Sequence, residues 1–153
     1  MTLSRRNAFG RLAAAVAAGA VTFRATGAVA EAPMSTLVPK VVYHLADADK
    51  TSFVLGNIDN HFKGMGGKDK VHIALVVHGP ALAAFKTGRA DPPLTQHLTA
   101  IAAMGVELGA CGNTLDAQKL TVDQLLPGFS RIDEGGVVRL AKLQAEGYAY
   151  IRP

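Results

Sequence analysis

The sequence predicts a three-layer α/β/α fold in which helices cover both faces of a mainly parallel, five-stranded sheet. Short apolar segments of strand length alternate with segments of helical periodicity from about residue 41 to the end of the chain. The segments between successive strands are long enough to return the chain to the same end of the sheet, as parallel pairing requires. With 153 residues, of which 49% are hydrophobic, the chain can form one domain with a core of ordinary size.

The first elements are two strands and the helix between them. Residues 41–45 are predicted to form a strand, and Asp47 or Asp49 can cap a helix over about residues 50–63. Apolar side chains at four-residue spacing give this helix one apolar face: Val54, Ile58 and Phe62. Residues 71–77 are almost all apolar, which indicates a strand covered on both faces.

The remaining elements continue the alternation. Residues 81–104 are interrupted by Gly88 and by Asp91-Pro92-Pro93, so they are predicted to form two helical pieces with a turn between them. The later elements are, in order, a strand over 106–110, a helix from Asn113 or Thr114 to about Leu126, a weak strand over 130–133, a helix over 136–146 and a terminal strand over 148–151.

The first thirty residues predict an export signal that is removed from the mature protein. They hold four arginines and no acidic residue, an apolar run over residues 12–23, and small residues at the end that suit a signal peptidase. The segment around Arg5 and Arg6 resembles the twin-arginine export motif. The apolar run is too short for a membrane-spanning helix, which needs about twenty residues. We therefore expect cleavage after Ala30, a periplasmic location and no membrane anchor after cleavage.

The positive charge of the chain lies in this export signal. The chain has 16 Lys and Arg residues against 12 Asp and Glu residues, for a formal net charge of +4. Removing the four arginines of residues 1–30 leaves equal numbers of basic and acidic residues. A neutral domain offers no basic surface for nucleic acid or an acidic membrane, and no nucleic-acid partner is expected. The chain divides into a signal peptide (1–30), a linker (31–39) and one domain (40–153).

Several chemically reactive side chains follow the ends of predicted strands. His44 stands at the end of the first strand, His78 directly after the second and Cys111 directly after the third. Asp133 and Glu134 come at the end of the fourth. Because ligands of open parallel sheets bind at the carboxyl ends of the strands, we expect at least some of these side chains to meet at one edge.

Cys111 is the most informative candidate because it is the only cysteine of the chain. It cannot form an intramolecular disulfide, although the predicted export would take it to an oxidising compartment. The next predicted helix starts just after it, and the N–H groups and dipole of a helix N-terminus favour thiolate over thiol. A thiolate can attack a substrate or carry sulfur. The competing interpretation is that Cys111 is a small buried side chain without chemistry.

The histidines leave more than one interpretation open. His44 and His78 can orient or deprotonate the thiol, or they can be structural residues at strand ends. With Cys111 they could also bind copper or zinc, which imidazole and thiolate both suit. No CxxC or HxxxH spacing supports such a site, and we expect no metal or other cofactor. His72 and His97 fall inside a predicted strand and a predicted helix and are expected to be structural.

Five segments of the chain resemble the DsrE/DsrF-like family of small sulfur-relay proteins. They are Val41-Val42-Tyr43-His44-Leu45, Gly56-Asn57-Ile58-Asp59-Asn60-His61, Val76-Val77-His78-Gly79-Pro80, Ala110-Cys111-Gly112-Asn113-Thr114-Leu115 and the ending from Gln144 to Pro153. The resemblance implies a three-layer α/β/α domain that usually assembles into dimers, trimers or hexamers, so a homo-oligomer is expected. In sulfur-relay members an active cysteine accepts a sulfane sulfur as a persulfide and passes it to a partner, a role that the resemblance assigns to Cys111.

The leading hypothesis is therefore an exported, sulfurtransferase-like sulfur carrier. Cys111 would hold the persulfide, His44 or His78 would assist proton movement, and the partner would be a sulfur donor or acceptor protein or a small sulfane-sulfur compound. The alternative is a non-catalytic protein that binds a small ligand or a soft metal in the same crevice, with Cys111 and His78 as contacts. A third possibility is an oligomeric structural protein with a buried Cys111.

Overall fold

Five strands and four α-helices make up the part of the chain that the computed structural model describes, residues 37–153. The predicted signal peptide lies outside these residues. The strands are β1 (Lys40–Leu45), β2 (His72–Val77), β3 (Glu107–Cys111), β4 (Phe129–Ile132) and β5 (Ala149–Ile151). The helices are α1 (Thr51–Met65), α2 (Pro92–Ala103), α3 (Gly112–Ala117) and α4 (Gly136–Ala145). Within the described range, no helix is long and apolar enough to span a membrane.

The strands pair in the order β4-β3-β2-β1-β5, and the pairs are parallel. β1 and β2 pair over their full length, from Lys40 opposite His72 to Leu45 opposite Val77. An α-helix lies between each strand and the next in sequence, which returns the chain to the same end of the sheet. The predicted α/β fold with a mainly parallel, five-stranded sheet is confirmed.

The two faces of the sheet carry cores of different size. One face packs against α1 and α2 in a large cluster that includes Tyr43, Leu45, Val54, Ile58, Ile73, Leu75, Leu98 and Ile101. The other face packs against α4 in a smaller cluster formed by Val42, Ala74, Val76, Ile132, Leu140 and Leu143. Because side chains alternate along a strand, every second residue of β1 and β2 belongs to the α4 side. This less thickly covered face carries the candidate site.

The helix predicted from residue 113 or 114 to about 126 is much shorter than expected. α3 ends at Ala117, and Lys119 follows with a φ of +54°, a left-handed conformation that does not continue a helix. Further along, the Leu126 N–H donates to the carbonyl of Phe85. Beyond Ala117 the apolar residues of this stretch therefore reach the core from a path that is not α-helical, and the helix predicted from their spacing is wrong.

Two smaller expectations also differ from the structure. The first helical piece predicted within residues 81–104 is a 3₁₀ segment, Gly79–Phe85, and only the second is an α-helix. Neither Asp47 nor Asp49 caps α1 with its side chain. A 3₁₀ turn, Ala48–Lys50, precedes that helix and puts a lysine at its N-cap position.

Candidate functional site

The sheet register places the three predicted site residues on one face, at the carboxyl ends of adjacent strands. Val76 pairs with His44 on one side and with Gly109 on the other. His78 lies two residues beyond Val76, and Cys111 lies two residues beyond Gly109. Because residues two apart share a face, all of these side chains belong to the face that α4 covers. The expected convergence at one sheet edge therefore follows from pairing and alternation.

Hydrogen-bond donors surround the Cys111 sulfur. The Gly136 N–H donates to Sγ over 3.1 Å, and the Thr114 hydroxyl and the backbone N–H groups of Thr114 and Asn113 add further polar interactions that lower the pKa of the thiol. Burial raises the pKa of the Cys111 thiol, but these hydrogen bonds outweigh burial and leave the pKa below its ordinary value. Cys111 is only 6% exposed, yet it lines a cavity of about 230 Å³. The sulfur therefore accepts hydrogen bonds that favour the thiolate, and it lies beside a small cavity.

The Thr114 hydroxyl is oriented by a second hydrogen bond. The Gly79 N–H donates to Thr114 Oγ1 over 3.0 Å. That contact occupies an acceptor position of the oxygen and leaves its single hydrogen to point elsewhere. A hydroxyl that already accepts from the backbone is well placed to donate to Sγ, which is the arrangement that favours the thiolate.

The start of α4 closes over the site, and its first residue has no side chain. A Cβ at Gly136 would lie 3.3 Å from the Cys111 Cβ and 3.4 Å from the His78 Cβ, so glycine allows the backbone to approach both. The preceding Gly135 has a φ of +88°, and a Cβ there would lie 2.7 Å from the Asn113 amide nitrogen. The N-terminus of this ten-residue helix adds a partial positive charge near the sulfur.

His44 and His78 are hydrogen-bonded to each other. Their Nε2 atoms lie 2.5 Å apart, and the ring planes differ by 21°. The ring centroids are 4.7 Å apart, close to the largest separation that this nitrogen distance allows. The rings therefore meet edge to edge through these nitrogens rather than stacking face to face, so one imidazole can donate to the other. On its other side, His44 Nδ1 lies 2.6 Å from the Tyr150 hydroxyl.

Both rings of this pair are held neutral. Burial, the neighbouring His78 and the positive charge of Arg152 lower the pKa of His44 to about 4. Burial and then Arg152 also lower the pKa of His78. Asp47 opposes both shifts, but its carboxylate is paired with Arg152 over 3.0 Å. At neutral pH the pair can pass protons, but it supplies no imidazolium charge.

The cavity beside Cys111 has a polar base and an apolar rim. Val137 is 69% exposed, and Val138 is also exposed. Of the described residues that line the cavity, Glu134 is the charged one, and its carboxylate lies 3.2 Å from Lys142 Nζ.

Among residues 37–153, no group of three or more His, Cys, Asp or Glu side chains is arranged to hold a metal ion.

Cys111 and His78 line the same cavity, and His44 contacts His78 through a hydrogen bond between their Nε2 atoms. In the described part of the chain, neither imidazole forms a hydrogen bond with Sγ. The three predicted residues thus lie together, but the thiolate depends on N–H and hydroxyl donors and not on a direct contact with a histidine.

Other candidates from the sequence have different surroundings. Asp133 accepts a hydrogen bond from Arg131 over 2.7 Å. His97 Nε2 lies 2.7 Å from Asp59 Oδ2 and joins α2 to α1. His72 is exposed as the first residue of β2. None of these side chains lines the Cys111 cavity.

Sequence reasoning missed three contributors to the site: Thr114 as a hydroxyl donor, Gly136 as an N–H donor and Tyr150 as the partner of His44. For Tyr150 a signal did exist. It lies on the last strand, and alternation puts it on the same face as Val42, with which it pairs. The placement of that strand beside β1, however, could not be read from the order of the segments.

Comparison with known proteins agrees with this architecture. A model of the DsrE/DsrF-like family matches residues 36–153. The chain belongs to the DsrE/DsrF-like family. Among curated proteins, none matches the sequence.

Three solved structures share the DsrE-like fold. A protein of unknown function, MTH1491 from Methanobacterium thermoautotrophicum, is 26% identical, with a TM-score of 0.66 over 75% of this chain and 99% of that one. The ychN protein from E. coli is 16% identical, with a TM-score of 0.58 over 76% and 100% of the two chains. BT1422 from Bacteroides thetaiotaomicron, a conserved protein of unknown function, is 13% identical, with a TM-score of 0.55 over 74% and 94%.

Proposed function

We propose that this protein is an exported sulfur carrier that holds a persulfide on Cys111. The observation that carries the proposal is the ring of donors around Sγ, in which the Gly136 N–H and the Thr114 hydroxyl lower the pKa of the thiol despite its burial. A thiolate at neutral pH is the form that attacks sulfane sulfur. Membership of a family of sulfur-relay type supports the same chemistry.

The proposed reaction is a balanced thiol–persulfide exchange. The Cys111 thiolate attacks the outer sulfur of a donor R–S–SH, a new Sγ–S bond forms, and the S–S bond of the donor breaks. The leaving R–S⁻ takes up a proton and departs as R–SH, while Cys111 keeps the outer sulfur and its hydrogen as Sγ–SH. An acceptor thiolate then attacks that outer sulfur and regenerates the Cys111 thiolate. No separate oxidant or reductant is needed.

The cavity supports this assignment of roles. An S–S bond is about 2 Å long, so the outer sulfur of a persulfide would extend from Sγ into the space that His78 lines. Sγ itself is already surrounded by donors, so His78 serves the outer sulfur and the leaving group. The exposed Val137 and Val138 offer an apolar contact for the body of a donor or acceptor. His44 acts through His78.

Mass spectrometry tests the proposal. We expect the mature protein, treated with an alkyl persulfide and then weighed intact, to gain about 32 Da, the mass of one sulfur atom, at Cys111. Cys111→Ser is the matched control and should gain nothing. Alkylation of the native protein with iodoacetamide shows in the same sample whether the thiol is accessible. An accessible Cys111 that never gains sulfur would refute the carrier, and an inaccessible thiol would favour a structural role.

The alternative function is a soft-metal or small-ligand binding protein with Cys111 and His78 as contacts. The observation in its favour is that both residues line one cavity and that the neutral His78 could act as a ligand. The arrangement supplies fewer ligands than a closed metal site uses. Metal analysis of protein taken from the exported fraction separates the two functions. Stoichiometric copper or zinc that is lost in Cys111→Ser would support the alternative.

The export step is a separate part of the proposal. It rests on Arg5, Arg6 and the small residues up to Ala30, which lie outside the described residues. We expect a double variant, Arg5→Lys with Arg6→Lys, to remain in the cytoplasm with its signal uncleaved. Unchanged export would contradict the twin-arginine assignment without bearing on Cys111. Light scattering of the mature protein tests the expected homo-oligomer.

A further inference from the structure

A row of three side chains connects the Cys111 cavity to the exposed edge of the sheet. His78, His44 and Tyr150 come from the neighbouring strands β2, β1 and β5. The Tyr150 hydroxyl lies 2.6 Å from His44 Nδ1, and His44 Nε2 faces His78 Nε2 at 2.5 Å. His78 lines the cavity, whereas Tyr150 is 42% exposed. The row thus runs without interruption from the site to solvent.

The row has two arrangements of protons that satisfy the same hydrogen bonds. A neutral imidazole has one N–H and one lone pair, and a tyrosine hydroxyl can donate or accept. In the first arrangement Tyr150 donates to His44 Nδ1, His44 donates from Nε2 to His78, and the proton of His78 is on Nδ1. In the second, His78 donates from Nε2 to His44, and His44 donates from Nδ1 to Tyr150. Neither arrangement places a positive charge on a ring.

The charges around the row favour these neutral arrangements. Among the described residues, the charged groups that shift the pKa of the two imidazoles are Arg152, which follows β5, and Asp47, which follows β1. These two form an ion pair, and the effect of Arg152 on the rings exceeds the opposing effect of Asp47. An imidazolium in the row would be partly desolvated and close to a guanidinium, whereas a concerted shift of protons avoids that state.

We propose that Tyr150 is the positioning residue at the outer end of a proton relay, Tyr150–His44–His78, which serves sulfur transfer at Cys111. This inference rests on the proposed function and names the way in which its protons move. During loading, His78 gives its Nδ1 proton to the leaving R–S⁻. The His44 proton shifts to His78 Nε2, the Tyr150 proton shifts to His44 Nδ1, and solvent returns one proton to the phenol.

Unloading reverses the relay. An acceptor thiol gives its proton to His78 Nδ1, His78 passes its Nε2 proton to His44, His44 passes its Nδ1 proton to Tyr150, and the phenol releases one proton to water. The row is then back in its first arrangement. One load and one unload therefore form a closed proton cycle, in which no proton is created or lost and no ring becomes charged.

Donors with different leaving groups test the relay. Loading from an alkyl persulfide releases a strongly basic thiolate, which needs a proton, whereas loading from thiosulfate releases sulfite, which can leave unprotonated. We expect Tyr150→Phe to slow loading from the alkyl persulfide about tenfold at neutral pH and to change loading from thiosulfate less than about twofold. Tyr148→Phe, which removes a hydroxyl just before β5, is the matched control and should leave both rates unchanged.

Every outcome of this experiment decides something. A selective loss with the alkyl persulfide supports the relay, because general damage to the site would slow both donors. Equal rates in Tyr150→Phe and the wild-type protein, or an equal loss with both donors, would overturn it. A wild-type protein that loads from neither donor would refute the proposed function. Nitrogen NMR of labelled histidines then gives an independent answer, since rings that do not share a proton at neutral pH would exclude the relay.

Discussion

Replacing Thr114 by valine tests whether its hydroxyl stabilises the Cys111 thiolate. Valine keeps the shape of threonine but removes the hydrogen bond to Sγ, so the pKa of Cys111 should rise. Hydrogen bonds to charged groups contribute about 1.5 kcal/mol or more, which corresponds to a loss of about tenfold in the thiolate fraction below the pKa. A more basic thiolate is intrinsically more reactive, with a Brønsted coefficient of about 0.5, so the alkylation rate should fall only about threefold.

The assay is the pH dependence of iodoacetamide alkylation of the native protein, read by intact mass. The same substitution removes the acceptor of the Gly79 N–H, so we expect a loss of about 1 kcal/mol in the free energy of unfolding. Thr114→Ser keeps the hydroxyl and separates the two effects, because it should retain the low pKa of Cys111. A Thr114→Val protein that loses stability but alkylates with the wild-type pH profile would refute the role of the hydroxyl.

Two further substitutions test the helix start and the histidine pair. Gly136→Ala should lower the free energy of unfolding by about 1–3 kcal/mol and slow alkylation of Cys111, because the new Cβ would lie 3.3 Å from the Cβ of the cysteine. The control is Gly56→Ala in α1, where a new Cβ would have nothing within 4 Å. It should raise the free energy of unfolding, measured with denaturant, by about 0.5–1 kcal/mol. The pKa of His44 falls to about 4 on folding, because the folded state disfavours the charged ring. Below the ordinary value of 6.5 the unfolded chain binds a proton that the folded protein does not, so the protein should lose stability as the pH falls from 6.5 toward 4. The free energy of unfolding, measured with urea, should fall over that pH range by about 1 kcal/mol after allowance for solvent screening. The fall should be smaller in His44→Gln, whereas the control His72→Gln should behave like the wild-type protein.

The sequence predicts the fold well where one periodicity dominates. β2 and α1 agree with their predicted ranges because a continuous apolar run and a four-residue apolar spacing each suit one kind of element. Residues 113–126 show where this reasoning fails. Their apolar side chains are buried from a turn and a 3₁₀ segment, a path fixed by contacts with residues distant in sequence such as Phe85. Local spacing carries no information about such contacts.

The candidate site could likewise be predicted only in part from the sequence. The convergence of Cys111, His78 and His44 could be predicted because each stands at the end of a strand, and parallel pairing brings strand ends together. Tyr150 could not be assigned to the site, because β5 is the last strand in sequence yet lies next to β1, the first. The sequence predicts N–H donors from the helix just after Cys111, whereas the N–H that donates to Sγ belongs to Gly136 at the start of α4, 25 residues further along the chain. The order of strands and the position of the crossover helix decide both contacts.

The source of thiolate stabilisation has a consequence for how a persulfide on Cys111 would behave. No cation contributes to the lowered pKa of Cys111 among the described residues, so a negative charge on Sγ is stabilised by N–H and hydroxyl dipoles. These donors surround the inner sulfur. An outer sulfur about 2 Å away would leave them behind and face only the cavity and the neutral His78. The atom to be transferred is then the less stabilised of the two, while the sulfur that must depart as a thiolate is already solvated by the protein, so the same donors assist both loading and release.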